Sequence, residues 1–337
     1  MEVMLPELLA CCALALATPA VSGGPEDGRF DVEAHRGGLG LVTESTLEAF
    51  ANALELGVTT LELDVRLTED GEPVVTHDRR VAPVKCRDTA AAFAGDPEFP
   101  YAGDLIRRLS LAQVEMLDCG WQRLPGYTRQ RVVPGARMPL LAEVFSLAAC
   151  YGADAVRFSI DPKFSADAPG ETASRGELAR VVAREVRAAG VSDRVTIASV
   201  DWGVLMRVRQ LDPRLPIAAA TSLRFLEAGE PGASPWLGGI DIDDFGGSLV
   251  KAVASFGADG ISPAQGFTTR RMIKRAHRAG MTLVPWTVND PARMRELIDA
   301  GADGIVSDYP DRVRAVLRER GLRPPSPVAG SASSCLR

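Results

Sequence analysis

Two of the three histidines in this chain stand where short apolar runs end. His35 opens the tripeptide His-Arg-Gly, and His77 is followed by Asp78. An imidazole titrates near neutral pH, so it can accept a proton in one step and donate one in another. We therefore predict that His35 and His77 form a general acid and base. The alternative is that each is a core histidine held by ordinary hydrogen bonds.

Three carboxylates accompany these histidines. Glu62 and Asp64 lie two residues apart in an apolar run, so a strand would place both on one face, and Asp161 closes a later run. Clustered carboxylate oxygens favour a hard cation, and we predict that these three acids bind one Ca²⁺ or Mg²⁺ ion. The alternative is that the acids form buried ion pairs with nearby basic residues, namely Arg36, Arg66 or Lys163.

Two basic residues extend the set. Arg36 and Lys163 follow the same apolar runs, and a guanidinium fork and an ammonium point charge both suit phosphate oxygens. With an acid–base pair and a hard cation, they predict a small-molecule phosphodiester as substrate. His277 lies in the basic helical stretch 270–279 and is predicted to be a solvated surface residue.

The elements that must position these residues alternate along the chain. Strand-like runs are separated by helical patterns such as Leu47–Leu56, Glu177–Ala189 and Ala292–Ala300, which is typical of a parallel sheet. Nine strands are predicted: Val32–His35, Thr60–Val65, Val74–Thr76, Ala155–Ile160, Val195–Ser199, Pro216–Ala220, Gly260–Ser262, Thr282–Thr287 and Gly304–Ser307.

One of the nine strands must belong to a hairpin. Too few residues separate Asp64 from His77 for a crossover helix, and Asp70-Gly71 is a strong turn signal. Folding the chain at that turn places Asp64 directly across from His77. The remaining eight strands predict an α/β fold, a (β/α)₈ TIM barrel, whose active site lies at the C-terminal ends of the strands.

The barrel domain is predicted over residues 30–320, with an early insertion at about 81–139 that is rich in Gly, Pro and charge. The tail 324–337 is predicted to be disordered from its Pro, Ser and Gly content. Cys86 and Cys119 both fall in the insertion, and we predict a disulfide between them in an oxidising compartment. The alternative is that the cysteines are buried free thiols.

Residues 1–23 predict a signal peptide, since an apolar stretch is followed by small residues. Glu2 and Glu7 make its start atypical, so the alternatives are a misplaced start or no export. The apolar stretch is too short for a stable membrane span, and we expect a secreted or cell-surface protein. The net charge of -6, without a basic run that is interleaved with aromatics, argues against nucleic acid as a partner. No pattern predicts an oligomeric state.

At these residues the chain resembles the glycerophosphodiester phosphodiesterase family, in motifs spread from His35 to Val313. The segments that carry the resemblance are His-Arg-Gly at 35–37, Thr-Leu-Glu-Ala-Phe at 46–50, Leu-Glu-Leu-Asp-Val at 61–65, Thr-Glu-Asp-Gly at 68–71 and Val-Val-Thr-His-Asp at 74–78. Later matches are Met-Pro-Leu-Leu-Ala-Glu-Val at 138–144, Trp-Thr-Val-Asn at 286–289 and Asp-Gly-Ile-Val-Ser-Asp at 303–308.

The resemblance implies metal-dependent hydrolysis to sn-glycerol 3-phosphate and an alcohol. It implies the roles already given for the two histidines, for Glu62 and Asp64 as metal ligands, and for Arg36 and Lys163 on phosphate. It also implies that Trp286 forms part of the substrate wall, although a core tryptophan is the alternative.

Three departures from the family pattern bear on that expectation. Thr43-Glu44-Ser45 replaces the usual Pro-Glu-Asn, which leaves Glu44 as a candidate to support the residues that touch metal or substrate. Asp161 replaces the usual third glutamate and is followed by Pro162-Lys163, which also resembles barrel phospholipases of the sphingomyelinase D type. The long insertion is the third departure.

Two other functions remain open from the sequence. One is phospholipase D-like cleavage of lysophospholipids or sphingomyelin-type lipids. The other is a catalytically inactive barrel with a binding role.

Overall fold

The computed structural model describes residues 29–336. Its strands are β1 (Asp31–Ala34), β2 (Thr60–Leu67), β3 (Pro73–Val75), β4 (Arg87–Asp88), β5 (Leu117–Asp118), β6 (Arg157–Pro162), β7 (Val195–Ser199), β8 (Ile217–Thr221), β9 (Gly260–Pro263), β10 (Thr282–Leu283) and β11 (Gly304–Ser307). Eight of them form a parallel sheet in the order β10-β9-β8-β7-β6-β2-β1-β11. Backbone hydrogen bonds from Asp303 N to Leu283 O at 3.1 Å and from Val306 N to Pro285 O at 3.0 Å join its two ends. The predicted (β/α)₈ barrel is therefore confirmed.

Most helices alternate with the barrel strands, and two short ones lie in the inserted segment and in the C-terminal tail. The helices are α1 (Leu47–Leu56), α2 (Leu111–Val114), α3 (Leu141–Cys150), α4 (Arg175–Ala188), α5 (Trp202–Leu211), α6 (Leu223–Leu226), α7 (Leu249–Ser255), α8 (Arg270–Arg278), α9 (Pro291–Ala300), α10 (Pro310–Glu319) and α11 (Ala332–Cys335). Along β2, Leu61, Leu63 and Val65 are fully buried toward the helices, which leaves the alternate polar residues facing the barrel interior. Among residues 29–336, no helix has the length and apolar character that crossing a membrane requires.

The predicted hairpin forms between β2 and β3, but its register differs from the prediction by one residue. Val65 pairs with Val75, so Asp64 lies opposite Thr76 instead of His77. The cause is the turn: Thr68 N donates to Glu72 O at 3.1 Å, which leaves three residues in the loop. A two-residue Asp-Gly loop would have given the predicted pairing.

Two predicted strand ends are also corrected. His35 does not end β1 but begins a 3₁₀ turn after Ala34. The strand predicted to reach Thr287 stops as β10 at Leu283, and Pro285, which has no N–H to donate, lies in the remainder.

The segment 81–139 builds a small core of its own beside the barrel. Its buried residues include Val81, Tyr101, Ile106, Leu109 and Leu117, and β4 pairs antiparallel with β5. A disulfide joins Cys86 to Cys119, as predicted from the sequence.

The C-terminal tail differs from the prediction of disorder, because its described part packs against the barrel. Val328 N donates to Leu54 O at 3.0 Å, and a second disulfide joins Cys335 to Cys150 at the end of α3. The covalent link, this hydrogen bond and the packing of Val328, Ala332 and Leu336 against the main core provide the attachment.

Candidate active site

The turn after β1 brings the first histidine and the first arginine to the mouth of the barrel. Arg36 has φ 52° and Gly37 has φ 81°, both in the left-handed region. A Cβ at Gly37 would lie 2.8 Å from the Cβ of Ala49 in α1, so glycine is required there. In this turn Arg36 N donates to Glu62 Oε2 at 2.8 Å, which ties β1 to the carboxylates of β2.

The three predicted carboxylates lie side by side. Asp64 on β2 pairs in register with Asp161 on β6, and Glu62 lies one pleat below. Burial and the nearby charge of Asp64 raise the pKa of Glu62 well above its ordinary value, and burial raises the pKa of Asp161. Burial opposes ionisation of Asp64 too, but Lys163, His77 and Arg36 outweigh it and hold the pKa of Asp64 below its ordinary range.

Two of the alternative ion pairs are present in the structure. Arg36 Nε lies 3.2 Å from Asp64 Oδ2, and Lys163 Nζ lies 3.3 Å from Asp64 Oδ1 and 3.0 Å from Asp161 Oδ2. Arg66 instead donates to two backbone carbonyls, those of His77 at 2.9 Å and Lys163 at 3.2 Å. The acids are thus bridged by the cationic side chains of Arg36 and Lys163, and Arg66 holds the backbone of Lys163 and of His77.

The two imidazoles are each anchored through Nδ1. His35 Nδ1 lies 2.5 Å from Asp308 Oδ1, and His77 Nδ1 lies 2.8 Å from Asp78 Oδ1. Burial would raise the pKa of each carboxyl, but the hydrogen bonds and charges of its partners hold the pKa of Asp308 and of Asp78 below its ordinary value. An ionised carboxylate can only accept, so each Nδ1 donates and Nε2 is left as the basic nitrogen.

The environment of His77 shifts its pKa strongly. Burial, followed by the charge of Lys163, lowers its pKa to about 4, against the opposing attraction of Asp64 and Asp78. A neutral imidazole at neutral pH suits a proton acceptor.

The predicted residues converge on one cavity of about 140 Å³. Its lining includes every predicted catalytic, metal and substrate residue: His35, Arg36, Glu62, Asp64, His77, Asp161, Lys163 and Trp286. Trp286 also donates from Nε1 to Ser262 O at 2.6 Å, so it is anchored to β9 while it forms part of the wall. The rest of the wall is largely apolar: Ala198, Val200, Ala220, Phe225 and Val306.

Glu44 stands just outside the cavity. It accepts from Arg36 Nη1 at 3.0 Å, and it contacts Lys85 of the inserted segment. Burial would raise the pKa of Glu44, but the two cations hold it below its ordinary value. His277 does not line this cavity. It is exposed, and its Nε2 lies 2.9 Å from Asp303 Oδ2.

Sequence reasoning missed the residues that hold His35. Asp308 accepts from Asn289 Nδ2 at 2.6 Å and from Tyr127 Oη at 3.2 Å, besides its contact with His35. Asp308 follows β11 directly, so the rule that selects polar residues at strand ends would have found it. Tyr127 comes from the irregular insertion and carried no such signal.

Comparison with known proteins gives a consistent result. The model of the glycerophosphoryl diester phosphodiesterase family matches residues 35–312. This chain belongs to that family. A glycerophosphodiester phosphodiesterase of Caldanaerobacter subterraneus subsp. tengcongensis is 26% identical over 290 residues, which cover 86% of this chain and 98% of the relative.

Two further family relatives bear on the site. A crystal structure of a Silicibacter pomeroyi protein assigned to the glycerophosphoryl diester phosphodiesterases is 31% identical, with a TM-score of 0.74, and the match covers 89% of this chain and 97% of that one. The human lysophospholipase D GDPD3 is 24% identical over 308 residues, 87% of this chain and 86% of the relative.

Proposed function

We propose that this chain is an enzyme that hydrolyses glycerophosphodiesters to sn-glycerol 3-phosphate and an alcohol, with His35 and His77 as its acid–base pair. The observation that carries the proposal is that both imidazoles line one cavity with Nδ1 held by a carboxylate. Each imidazole thereby keeps a basic Nε2 while it lines the same small cavity. Family membership supports the reaction class.

Each imidazole would perform one of the two proton transfers. One Nε2 accepts a proton from the attacking water, whose oxygen bonds to phosphorus as the bond to the alcohol breaks, and the other imidazole, protonated, donates to the leaving alkoxide. The lowered pKa of His77, about 4, favours it as the acceptor. Arg36 and Lys163 line the cavity as cations and would contact the phosphate oxygens.

The acidic residues fit a divalent cation in their chemistry. Among residues 29–336, Asp64 Oδ2 and Asp161 Oδ1 are buried oxygens without a hydrogen-bond partner, although no group of three potential ligands in that range is already arranged around a common point. We propose that Glu62, Asp64 and Asp161 hold one Ca²⁺ or Mg²⁺ ion, which would neutralise charge on the phosphate. Divalent cations are generally used in this family.

A substrate assay tests both parts of the proposal. Purified protein is incubated with glycerophosphocholine and Ca²⁺ or Mg²⁺, and sn-glycerol 3-phosphate is measured, with His35→Ala as the control and a chelator arm for the metal. We expect turnover that the substitution and the chelator each abolish. A protein that binds metal yet converts no diester would instead be the inactive binding barrel.

A second candidate is phospholipase D-like cleavage of lysophospholipids. It is favoured by the apolar half of the cavity wall and by Leu223, which is 68% exposed on the same short helix α6 as the wall residue Phe225. The human relative named a lysophospholipase D points the same way. A substrate panel read by phosphorus NMR separates the two, because lipid cleavage leaves lysophosphatidic acid or a cyclic phosphate.

We also propose that the protein is exported, to the medium or the cell surface. Support comes from two disulfides within residues 29–336, since such bonds persist in oxidising compartments. The predicted signal peptide at 1–23 lies outside the described residues. N-terminal sequencing of protein recovered outside the cell tests the proposal, and an intact leader on protein found only inside would contradict it.

A further inference from the structure

We propose that Lys85, held in place by the Cys86–Cys119 disulfide, is a positioning residue that links the His77 side of the cavity to the Arg36 side. The proposal rests on the proposed function, because it concerns how that site is kept in order. Lys85 does not line the cavity that holds the catalytic candidates. It acts through the two carboxylates that it contacts, those of Asp78 and Glu44.

The contacts of Lys85 form a bridge between two separate loops, the one before α1 and the one after β3. Its Nζ lies 2.7 Å from Asp78 Oδ2 and also contacts Glu44 Oε1. Each carboxylate uses its second oxygen on the site: Asp78 Oδ1 lies 2.8 Å from His77 Nδ1, and Glu44 Oε2 accepts from Arg36 Nη1 at 3.0 Å. One ammonium group thus fixes the acceptors of both a catalytic and a phosphate-binding candidate.

Removing the ammonium would leave two carboxylates facing one another without their shared cation. Glu44 is 8% exposed and would keep Arg36 as its partner, whereas Asp78 is more open and would be free to turn toward water. Like charges that lose their shared counterion separate. The hydrogen bond between His77 Nδ1 and Asp78 is therefore the contact that we expect to break.

The inserted segment supplies Lys85 and fixes its backbone. Lys85 N and Cys86 N both donate to Ala82 O, at 2.8 and 2.9 Å, in a single turn. Cys86 is then bonded to Cys119, and β4, which begins directly after Cys86, pairs with β5, which ends directly before Cys119. Both cysteines and Lys85 border one small cavity beside Glu44, so the disulfide lies next to the bridge it holds.

Substitution of Lys85 tests the bridge. We expect Lys85→Met to lower kcat/KM on glycerophosphocholine by roughly 10-fold or more, as loss of a supporting contact does. Lys85→Arg keeps the positive charge, so the fall in its log(kcat/KM) should be at most half of the fall for Lys85→Met. Lys251→Met, at an exposed position of α7, is the matched control and should leave activity unchanged. In an Asp78→Asn background, Lys85→Met should cost much less than it does alone, because the carboxylate that holds His77 is already gone.

The two disulfides within residues 29–336 form a second matched pair. Replacing Cys86 and Cys119 by alanine should reduce kcat/KM in the same direction as Lys85→Met, whereas replacing Cys150 and Cys335 should not, because that bond anchors the tail to α3. If the first double variant does not fold, the Lys85 substitutions still decide the matter.

A spectroscopic measurement separates this proposal from the proposed function. The Nδ1 proton of His77 is followed by NMR in protein without substrate, with the signal assigned by its absence in His77→Asn. We expect Lys85→Met to shift or broaden that signal and Lys251→Met to leave it unchanged. An inactive wild type whose His77 signal responds to Lys85→Met would contradict the function and support the bridge. An unchanged signal, or a Lys85→Met enzyme with more than half of wild-type kcat/KM, would overturn the bridge.

Discussion

At the scale of single residues, the site depends on which nitrogen of each imidazole faces the cavity. Asp308 and Asp78 are held ionised, and an ionised carboxylate can only accept a hydrogen bond. Each therefore fixes the proton on Nδ1 and leaves Nε2 available for the proposed proton transfer. The orientation of the rings is as much a part of the site as their presence in the sequence.

Asp308→Asn tests this reasoning directly. An asparagine can donate to His35 Nδ1 and so favour the wrong tautomer, and we expect kcat to fall by at least about 100-fold with a smaller change in KM. Steady-state kinetics on glycerophosphocholine measures the effect. Asp299→Asn, at an exposed residue paired with Arg320, is the control, and an Asp308→Asn enzyme as active as that control would refute the tautomer argument.

At the scale of elements, the sequence predicts what strand alternation and turn chemistry determine. Glu62 and Asp64 share a face of β2 as their spacing requires, and the hairpin forms at the expected Asp-Gly turn. The one-residue register difference arises because Thr68 and Glu72 close a three-residue loop, a choice between two turns that the same dipeptide allows. Asp308 was overlooked although it follows a predicted strand.

Strand β1 also carries a buried acid that the proposed chemistry does not use. Glu33 alternates with Val32 and Ala34 and faces the barrel interior, where burial and the charge of Asp31 raise its pKa from the ordinary 4.5 to about 8, with Arg157 opposing. Between these two values the folded state therefore binds more protons than the unfolded state. This stabilising contribution is complete below the lower value and is lost as pH rises through the upper one.

Glu33→Gln removes this pH dependence. We expect the free energy of unfolding of the wild type to fall more than that of the variant between pH 6 and pH 9, by at least about 1 kcal/mol. Urea denaturation at both pH values gives the comparison. Parallel curves for the two proteins would mean that Glu33 is ionised in the folded barrel at neutral pH.

At the scale of the whole molecule, the C-terminal tail is the part whose structure the sequence alone predicts least well. The tail composition predicts disorder, yet Cys335 is bonded to Cys150 and Ala332 N donates to Glu55 Oε1 at 3.0 Å. Four cysteines outside the predicted leader allow three pairings, and spacing does not choose among them. The tail attachment therefore needed the three-dimensional structure, whereas the barrel did not.

The second disulfide closes a loop of sequence separation 185, so its loss should act on stability. We expect alanine at both Cys150 and Cys335 to lower the free energy of unfolding by about 2–4 kcal/mol, with kcat unchanged. Chemical denaturation and activity are measured on the same preparation. A loss of activity without a loss of stability would contradict this and would mean that the tail contributes to the active site.

The most direct test of the acid–base pair is a kinetic comparison of His35→Ala, His77→Ala and the double variant on glycerophosphocholine. Two groups that act as a unit are not additive, so we predict that each single substitution lowers kcat by about 1000-fold or more and that the second adds little. A single variant that keeps a tenth of wild-type kcat would contradict the central claim.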